Sequence, residues 1–504
     1  MFYIWSRSPG PRPDAFATWE FDMADTDALW TLLLEAAQPQ AAAALKNEVE
    51  SAPDVRLSRI NALAFATERG LDEDATIGAL VRAAHLGLFD MTWSALCPGC
   101  GGVLETTAAL KTLDRSEYFC SLCAEDCETT LDGHVEVSFT VNPRVRRIAA
   151  HDPDSLSLPD YARQIFWSTA TDLPADFERM VEAITLDGLE MEPGERATMS
   201  LTLSPGHALV FDPVTHTSIF LNIAGEETHE RRALSLVFSD EHAHAGTMEL
   251  RPGPVRIALD NRSRRRTLPA VWTPDAAFHA IFKRRRPFLT ATRVFSNQTF
   301  REIYRNGTLD SEQRFKITNL TFLFTDLRGS TALYDRVGDL AAFDLVRSHF
   351  GALIAAVSAE GGAVVKTIGD AVMATFASPE RGLRAAIRMR AAMREINRAR
   401  GGEDLALNIG LHEGPCLAVV LDDRLDYFGQ SVNIASRVQG LADPSAILAT
   451  KGVVETPEVA SLLAERGYRT QSRESALRGV SEALTVYEIR EAAERRLPRA
   501  PALG

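Results

Sequence analysis

Apolar residues recur at spacings of three and four along DALWTLLLEAAQPQAAAALKNEV and ATIGALVRAAHLGLFD, the period of an amphipathic helix, and predict a helical region over residues 25–90. Residues 133–142, GHVEVSFTVN, alternate apolar and polar and predict a strand. Over residues 195–260 the runs ATMSLTLS, HALVFD, SIFLNIA, ALSLVFS and VRIALDN are separated by Gly, Pro and Asp, which predicts a small β-sandwich or barrel. Residues 288–306 read as one helix that ends at Gly307 and connects the N-terminal half to a C-terminal unit.

From residue 318 strand and helix signals alternate. LTFLFTD is a short apolar strand, and residues 331–359 form an amphipathic helix stopped by Gly361-Gly362. AVVKTIGDAVMATF is a pair of apolar runs around Gly369-Asp370, the pattern of a hairpin. Residues 380–399 are helical, LALNIGLHEG is a strand, and residues 429–440 open another helix. The order βαββαβ predicts a ferredoxin-like unit. The chain therefore reads as a multidomain α+β protein. A helical segment (1–95) precedes a zinc-ribbon segment (96–142), a β-rich middle region with a basic linker (143–286) and a helical connector (287–316). The C-terminal unit (317–490) and a tail (491–504) follow.

Composition narrows the class. With 45% apolar and 24% charged residues in 504, a largely disordered chain is excluded. A formal charge of −14 argues against a general nucleic-acid partner. No apolar run reaches the roughly 18 residues of a membrane span. MFYIWSRSPGPRPD lacks the basic and apolar regions of a secretory signal, so a cytoplasmic protein is expected. Eight basic residues crowd residues 262–286. They read either as a solvated face beside a linker or as a docking patch for an acidic neighbour, the protein's own acidic surface included.

Five of the six cysteines lie between Cys97 and Cys127, which points to a local metal site in a reducing compartment. Cys97-Pro-Gly-Cys100 and Cys120-Ser-Leu-Cys123 are C-x₂-C pairs with 19 residues between them, within the spacing of four-cysteine zinc sites. A closed site of this kind is structural. Redox-active thiols and a site that has lost its metal are the alternatives, and Cys127 and His134 are spare ligands.

Asp326 ends an apolar strand and is followed by Leu327-Arg328-Gly329-Ser330-Thr331 and a helix. A strand end leading into a helix N-terminus suits a phosphate, and a carboxylate there calls for a cation between them. Asp370 sits at the hairpin turn. If the hairpin lies beside the first strand, both carboxylates reach one place and make an oxygen-rich Mg²⁺ site. Either aspartate alone is ordinarily a turn or capping residue. Lys366, inside the apolar hairpin strand, needs a partner for its ammonium. Asn433 and Arg437, four apart, share a helix face and suit a ribose and a phosphate.

FTDLRGST, VVKTIGDAVMATF and LDYFGQSVNIASR together resemble the class III nucleotide cyclase catalytic domain over residues 318–490. The resemblance implies a homodimer with active sites across its interface, the metal pair and the reading residues coming from opposite chains. Asp326 and Asp370 would hold two Mg²⁺ or Mn²⁺ ions, and Lys366 and Asp426 would read adenine, which implies ATP as substrate. Asn433 would orient the ribose and Arg437 would stabilise charge on the α-phosphate. Arg478, in LRGVSEALTVYEI, falls where the family often carries a triphosphate-binding lysine. His412 falls at a structural position, and Cys416 reads as a core residue. The implied reaction yields cyclic AMP and pyrophosphate, with the N-terminal half as regulator. That half resembles an uncharacterised region preceding the cyclase domain in some bacterial proteins. A catalytically silent nucleotide-binding or interaction module is the alternative, and the intact set of site positions argues against it. A third reading makes the zinc-and-β region an interaction module whose output is the cyclase.

Overall fold

A computed structural model describes residues 23–113, 117–240, 245–305, 309–310, 313–328, 338–401, 405–480 and 483–491. The loop residues Gly329, Ser330 and Thr331, the predicted helix stop at Gly307 and the tail beyond residue 491 lie outside the described residues.

The N-terminal helices are α1 (Met23–Ala36), α2 (Pro39–Ser51), α3 (Ala62–Arg69) and α4 (Glu73–His85). Asp72 caps α4 by accepting from Ala75 N at 2.8 Å. The helical prediction overruns here: Phe89–Leu96 is β1, which pairs antiparallel with β2 (Val103–Thr107) and β5 (Val135–Val141). A short hairpin, β3 (Glu117–Cys120) and β4 (Glu125–Glu128), completes the cysteine segment. Short helices α5 (Leu158–Tyr161) and α6 (Phe177–Ile184) lead into the middle region.

That region contains β6 (Thr185–Gly188), β7 (Arg196–Leu203), β8 (Gly206–Asp212), β9 (Thr217–Ile223), β10 (Arg232–Phe238), β11 (Gly246–Leu250), β12 (Gly253–Asn261) and β13 (Ala270–Trp272). They form a three-stranded sheet, β10-β12-β7, and a five-stranded sheet, β11-β9-β8-β13-β6. Met199, Val210, Phe238 and Ile257 fill the apolar layer between these strands, as the alternating runs require.

The basic run beside it is not simply a solvated face. Arg264 pairs with Asp240 at 2.9 Å, Arg266 with Glu190 at 3.0 Å and Arg284 with Asp172 at 2.7 Å. Arg285 donates to Thr171 Oγ1 at 2.7 Å and to Gly99 O at 3.0 Å. The run docks against the protein's own surface, through partners that lie far away in sequence.

After α7 (Ala276–Ile281), the predicted single connector helix is two, α8 (Ala291–Phe295) and α9 (Gln298–Ile303). The break is a capping event: Asn297 leaves the helix and its Oδ1 accepts from Phe300 N at 3.2 Å.

The C-terminal unit follows as β14 (Phe315–Leu327), α10 (Asp339–Ala359), β15 (Ala363–Ile368), β16 (Ala371–Phe376), α11 (Pro379–Arg400) and β17 (Leu407–Leu421). Then come β18 (Arg424–Phe428), α12 (Gln430–Gly440), β19 (Ile447–Thr450), α13 (Lys451–Val454), α14 (Pro457–Glu465), β20 (Tyr468–Ser475) and β21 (Leu484–Glu491). The sheet order is β15-β16-β14-β17-β19-β21-β20, with β18 on β17. Its first four strands carry the ferredoxin-like order that the βαββαβ pattern predicts.

Strand alternation divides β14 between two cores. Leu323 and Leu327 pack in the core formed with α10 and α11. Phe322 and Phe324, on the opposite face, join one apolar cluster with Trp93, Phe295 and Phe300 of the N-terminal half. Polar contacts cross the same seam. Val364 N donates to Gln298 Oε1 at 2.9 Å, and Arg301 Nη1 donates to Leu425 O at 3.0 Å. Arg381 of α11 reaches Asp74 of α4 at 2.5 Å, and Arg293 reaches the same carboxylate at 2.7 Å. No helix among the described residues is long and apolar enough to cross a membrane.

Candidate active site

The hairpin that carries Asp370 forms on local sequence. Gly369 has φ +63 and Asp370 is not left-handed, the pattern of a type II′ turn, and Ile368 pairs with Ala371 across it. Its second strand, β16, pairs with β14 through Thr325 opposite Val372. The next step of that register sets Asp326 beside the turn. Asp326 lies on the same face of β14 as Phe322 and Phe324.

The aspartates act on each other. Burial, with Asp370's charge added, pushes the Asp326 carboxyl above its usual range. Asp370 Oδ2 is buried and has no hydrogen-bond partner among the described residues. A half-buried pair of carboxylates with an unsatisfied oxygen fits a hard cation, whose preferred ligands are carboxylate oxygens. Behind the turn sits His349, fully buried, with Nδ1 3.4 Å from Met393 Sδ. Burial lowers its pKa, and the carbonyl and charge of Asp370 partly offset that. The sequence reading missed His349. Its one signal is a histidine at the head of the apolar run from Phe350 to Val357 in α10.

Lys366 and Asp426, 60 residues apart, meet at 2.5 Å. Asp426 is only 7% exposed. Its other oxygen accepts from Tyr427 N at 2.8 Å, so both carboxylate oxygens are satisfied. β18, which carries Asp426, pairs with β17 through Asp426 opposite Val419. Arg301 supports this strand from the N-terminal half, with its guanidinium 5.2 Å from the Tyr427 ring centre. Sequence reasoning missed Arg301 as well, because its partners lie 124 residues away.

Asn433 and Arg437 stand one turn apart on α12, Asn433 exposed and Arg437 half-buried. The Arg437 guanidinium lies under the turn that carries Arg478: a Cβ placed on Gly479 would sit 3.2 Å from its Nη1. Arg478 itself is exposed. Among the described residues, no hydrogen bond or ion pair joins the aspartate pair, the Lys366–Asp426 pair and the α12 residues.

The apolar environment of the remaining polar residues accounts for them. His412 Nδ1 lies 2.9 Å from Thr450 Oγ1, and burial lowers its pKa to about 4. The Cys416 thiol is pushed up to about 12 by burial, as suits an inert core residue.

In the N-terminal half, the sulfurs of Cys97, Cys100, Cys120 and Cys123 all lie within 4.8 Å of one another. Cys97 and Cys123 are 3.7 Å apart, and Cys100 and Cys120 are 3.6 Å apart. Tetrahedral zinc with bonds of about 2.3 Å requires sulfurs about 3.8 Å apart, so the set fits. Hydrogen bonds from Cys100 and the other neighbouring sulfurs hold the Cys97 thiol below its ordinary range. Gly102 N donates to Cys100 Sγ at 3.3 Å, orienting that sulfur. Cys127 stands at the edge of the group, 3.8 Å from Cys97. His134 faces Thr130 Oγ1 at 3.3 Å instead.

Comparison with known proteins adds family membership. A model described as a family of unknown function, DUF5939, matches residues 23–302. A model described as the adenylate and guanylate cyclase catalytic domain matches residues 312–490. An adenylate cyclase of Anabaena cylindrica is 31% identical over 189 residues, covering 34% of this chain and 36% of that protein. The human guanylate cyclase soluble subunit beta-2 is 28% identical over 153 residues, covering 28% of this chain and 24% of that protein. The chain thus spans about a third of the Anabaena relative and less of the human one. The adenylyl cyclase CyaB from P. aeruginosa aligns structurally at 25% identity, covering 37% of this chain and 99% of that chain, with a TM-score of 0.32. The chain belongs to the DUF5939 family and carries, over residues 312–490, a class III adenylate and guanylate cyclase catalytic domain.

Proposed function

We propose that this protein is an adenylate cyclase, converting ATP into cyclic AMP and pyrophosphate for cytoplasmic second-messenger signalling under control of its N-terminal half. The observation that carries the reading is the meeting of Asp326 and Asp370, with one buried oxygen of Asp370 left without a partner among the described residues. These carboxylates would hold two Mg²⁺ or Mn²⁺ ions. When bound, such ions lower the pKa of the ribose 3′-hydroxyl and neutralise the phosphates.

Specificity rests on Lys366 and Asp426. Adenine offers an exocyclic amino donor, which Asp426 accepts, while Lys366 donates to a ring nitrogen. Guanine has a carbonyl oxygen where adenine has the amino group, and so turns an acceptor toward the carboxylate. Asn433 orients the ribose. Arg437, which has no carboxylate partner among the described residues, neutralises charge developing on the α-phosphate. Arg478 reaches the triphosphate.

The lack of a direct contact between these groups among the described residues of one chain supports a homodimer, in which the aspartates of one protomer serve the base, ribose and phosphate ligands of the other. Exposed apolar side chains near them, Phe428 at 65% and Ile368 at 54%, support association as well. The cysteine group would hold a structural Zn²⁺.

Purified protein given ATP and Mn²⁺ or Mg²⁺ is expected to release cyclic AMP and pyrophosphate in equal amounts. Asp326→Ala is expected to abolish the product, and an active variant would overturn the metal assignment. Exchanging Lys366 and Asp426 together is expected to erode preference for ATP. Equal turnover of GTP by the parent protein would overturn the adenine assignment.

A further inference from the structure

One short helix at the end of the N-terminal half touches both strands that carry the Lys366–Asp426 pair. α9 presents Gln298 and Arg301, three residues apart and so on one face, to the seam with the C-terminal unit. Gln298 Oε1 accepts from Val364 N at 2.9 Å, two residues before Lys366 in β15. Arg301 Nη1 donates at 3.0 Å to the Leu425 carbonyl, which belongs to the peptide joining Leu425 to Asp426. The same guanidinium lies 5.2 Å from the ring centre of Tyr427, the residue that follows Asp426. Arg301 thus grips the chain on both sides of the carboxylate.

Both strands lack other means of holding their geometry. β15 is the last strand on its side of the sheet. Its register slips between Val364 and Lys366, where Val365 stands as an extra residue. Such a bulge bends a strand and re-aims the side chains beside it, and Gln298 takes the amide that opens it. β18 is five residues long and, among the described residues, pairs with β17 alone. A strand paired along one edge is marginal without further packing. Asp426 moves with this backbone, because one of its oxygens accepts from Tyr427 N and the other from Lys366.

α9 is itself fixed from the N-terminal side. Phe300 is fully buried and meets Trp93 edge to face, with ring centres 6.0 Å apart. Arg301 Nε donates to Phe295 O at 2.9 Å, so the guanidinium bridges α8 and β18. α4 lies close against α9: a Cβ on Gly78 would sit 3.2 Å from Thr299 Oγ1.

We propose that Gln298 and Arg301 are positioning residues for base recognition, through which the N-terminal half sets the aim of Lys366 and Asp426 and hence the discrimination between ATP and GTP. They act through that pair and not on the nucleotide. The proposal rests on the reading of the pair as the adenine-recognising residues.

Steady-state kinetics of the full chain with ATP and with GTP, each with Mn²⁺, test it. Arg301→Met keeps the apolar stem and removes the donors. It is expected to raise KM for ATP and to lower the ATP-over-GTP ratio of kcat/KM about tenfold, with kcat for ATP within about twofold of the parent. Gln298→Ala, which removes a neutral acceptor, is expected to lower the ratio about threefold. Arg301→Lys, which keeps a donor and a charge near the Tyr427 ring, is expected to retain most of it. The ratio does not depend on the fraction of folded enzyme, so a merely structural role would lower kcat and leave the ratio where it was. Arg381→Gln breaks the Asp74 contact elsewhere on the seam and is expected to leave the ratio unchanged. An unchanged ratio in both α9 variants overturns the proposal, as does an equal fall in Arg381→Gln. Parent protein that makes no cyclic AMP, or that uses GTP as readily as ATP, overturns the adenine reading itself and the proposal with it.

Discussion

Asp326 carries a charge that its surroundings oppose. Its carboxyl is pushed up by burial and by Asp370. A carboxyl whose folded pKa exceeds its unfolded value favours the fold most at low pH and loses that contribution as pH rises through the folded value. Metal-free protein is therefore expected to lose stability as Asp326 ionises. Asp326→Asn, which removes the charge, is expected to raise the melting temperature of metal-free protein at neutral pH while removing turnover. A fall in melting temperature would show that the aspartates do not repel. His412 works in the opposite direction. Its pKa is lowered by burial from 6.5 to about 4, so stability is retained above 6.5 and lost as pH falls toward 4. His412→Gln is expected to flatten the melting-temperature profile across that interval. Neither effect is legible in the sequence, because both depend on burial that distant segments create. The residues were visible nonetheless: an aspartate closing an apolar strand and a lysine inside another each call for a partner.

Elements were legible wherever the signal was local. The hairpin around Gly369-Asp370 and the alternating strands of the sandwich follow from neighbouring residues alone. Residues 288–306 did not, because their apolar period runs through Asn297 and conceals the cap that splits α8 from α9. The fate of the basic run was hidden for a related reason: Arg285 finds its carbonyl partner 186 residues away. One element depends on a missing side chain. A Cβ on Gly410 of β17 would come within 2.2 Å of Gln439 N, so the absence of that carbon lets α12 lie directly on the strand. Gly410→Ala is expected to destabilise the protein by about 1–3 kcal/mol, the usual effect of overpacking. It should also lower kcat by displacing Asn433 and Arg437. Thermal melting and steady-state kinetics check the two effects separately.

Across the whole molecule, the cysteine group and the catalytic face belong to one core. Cys97, Cys100 and Cys120 share an apolar cluster with Phe322, Phe324 and Tyr427. A strong chelator is therefore expected to lower the melting temperature of the full chain, and added Zn²⁺ to restore it. An unchanged melting temperature would rule out a structural metal. The cluster also fixes the order in which the protein can be completed during synthesis. Asp74 precedes Arg381 by 307 residues. At roughly 5–20 residues per second, a ribosome needs ~15–60 s to cover that distance. Throughout that time Trp93 lacks the sheet that will cover its cluster, and once Phe295 and Phe300 emerge they lack it too. The nascent N-terminal half therefore waits with an aromatic surface open to solvent, and a chain truncated before β14 would carry that surface permanently.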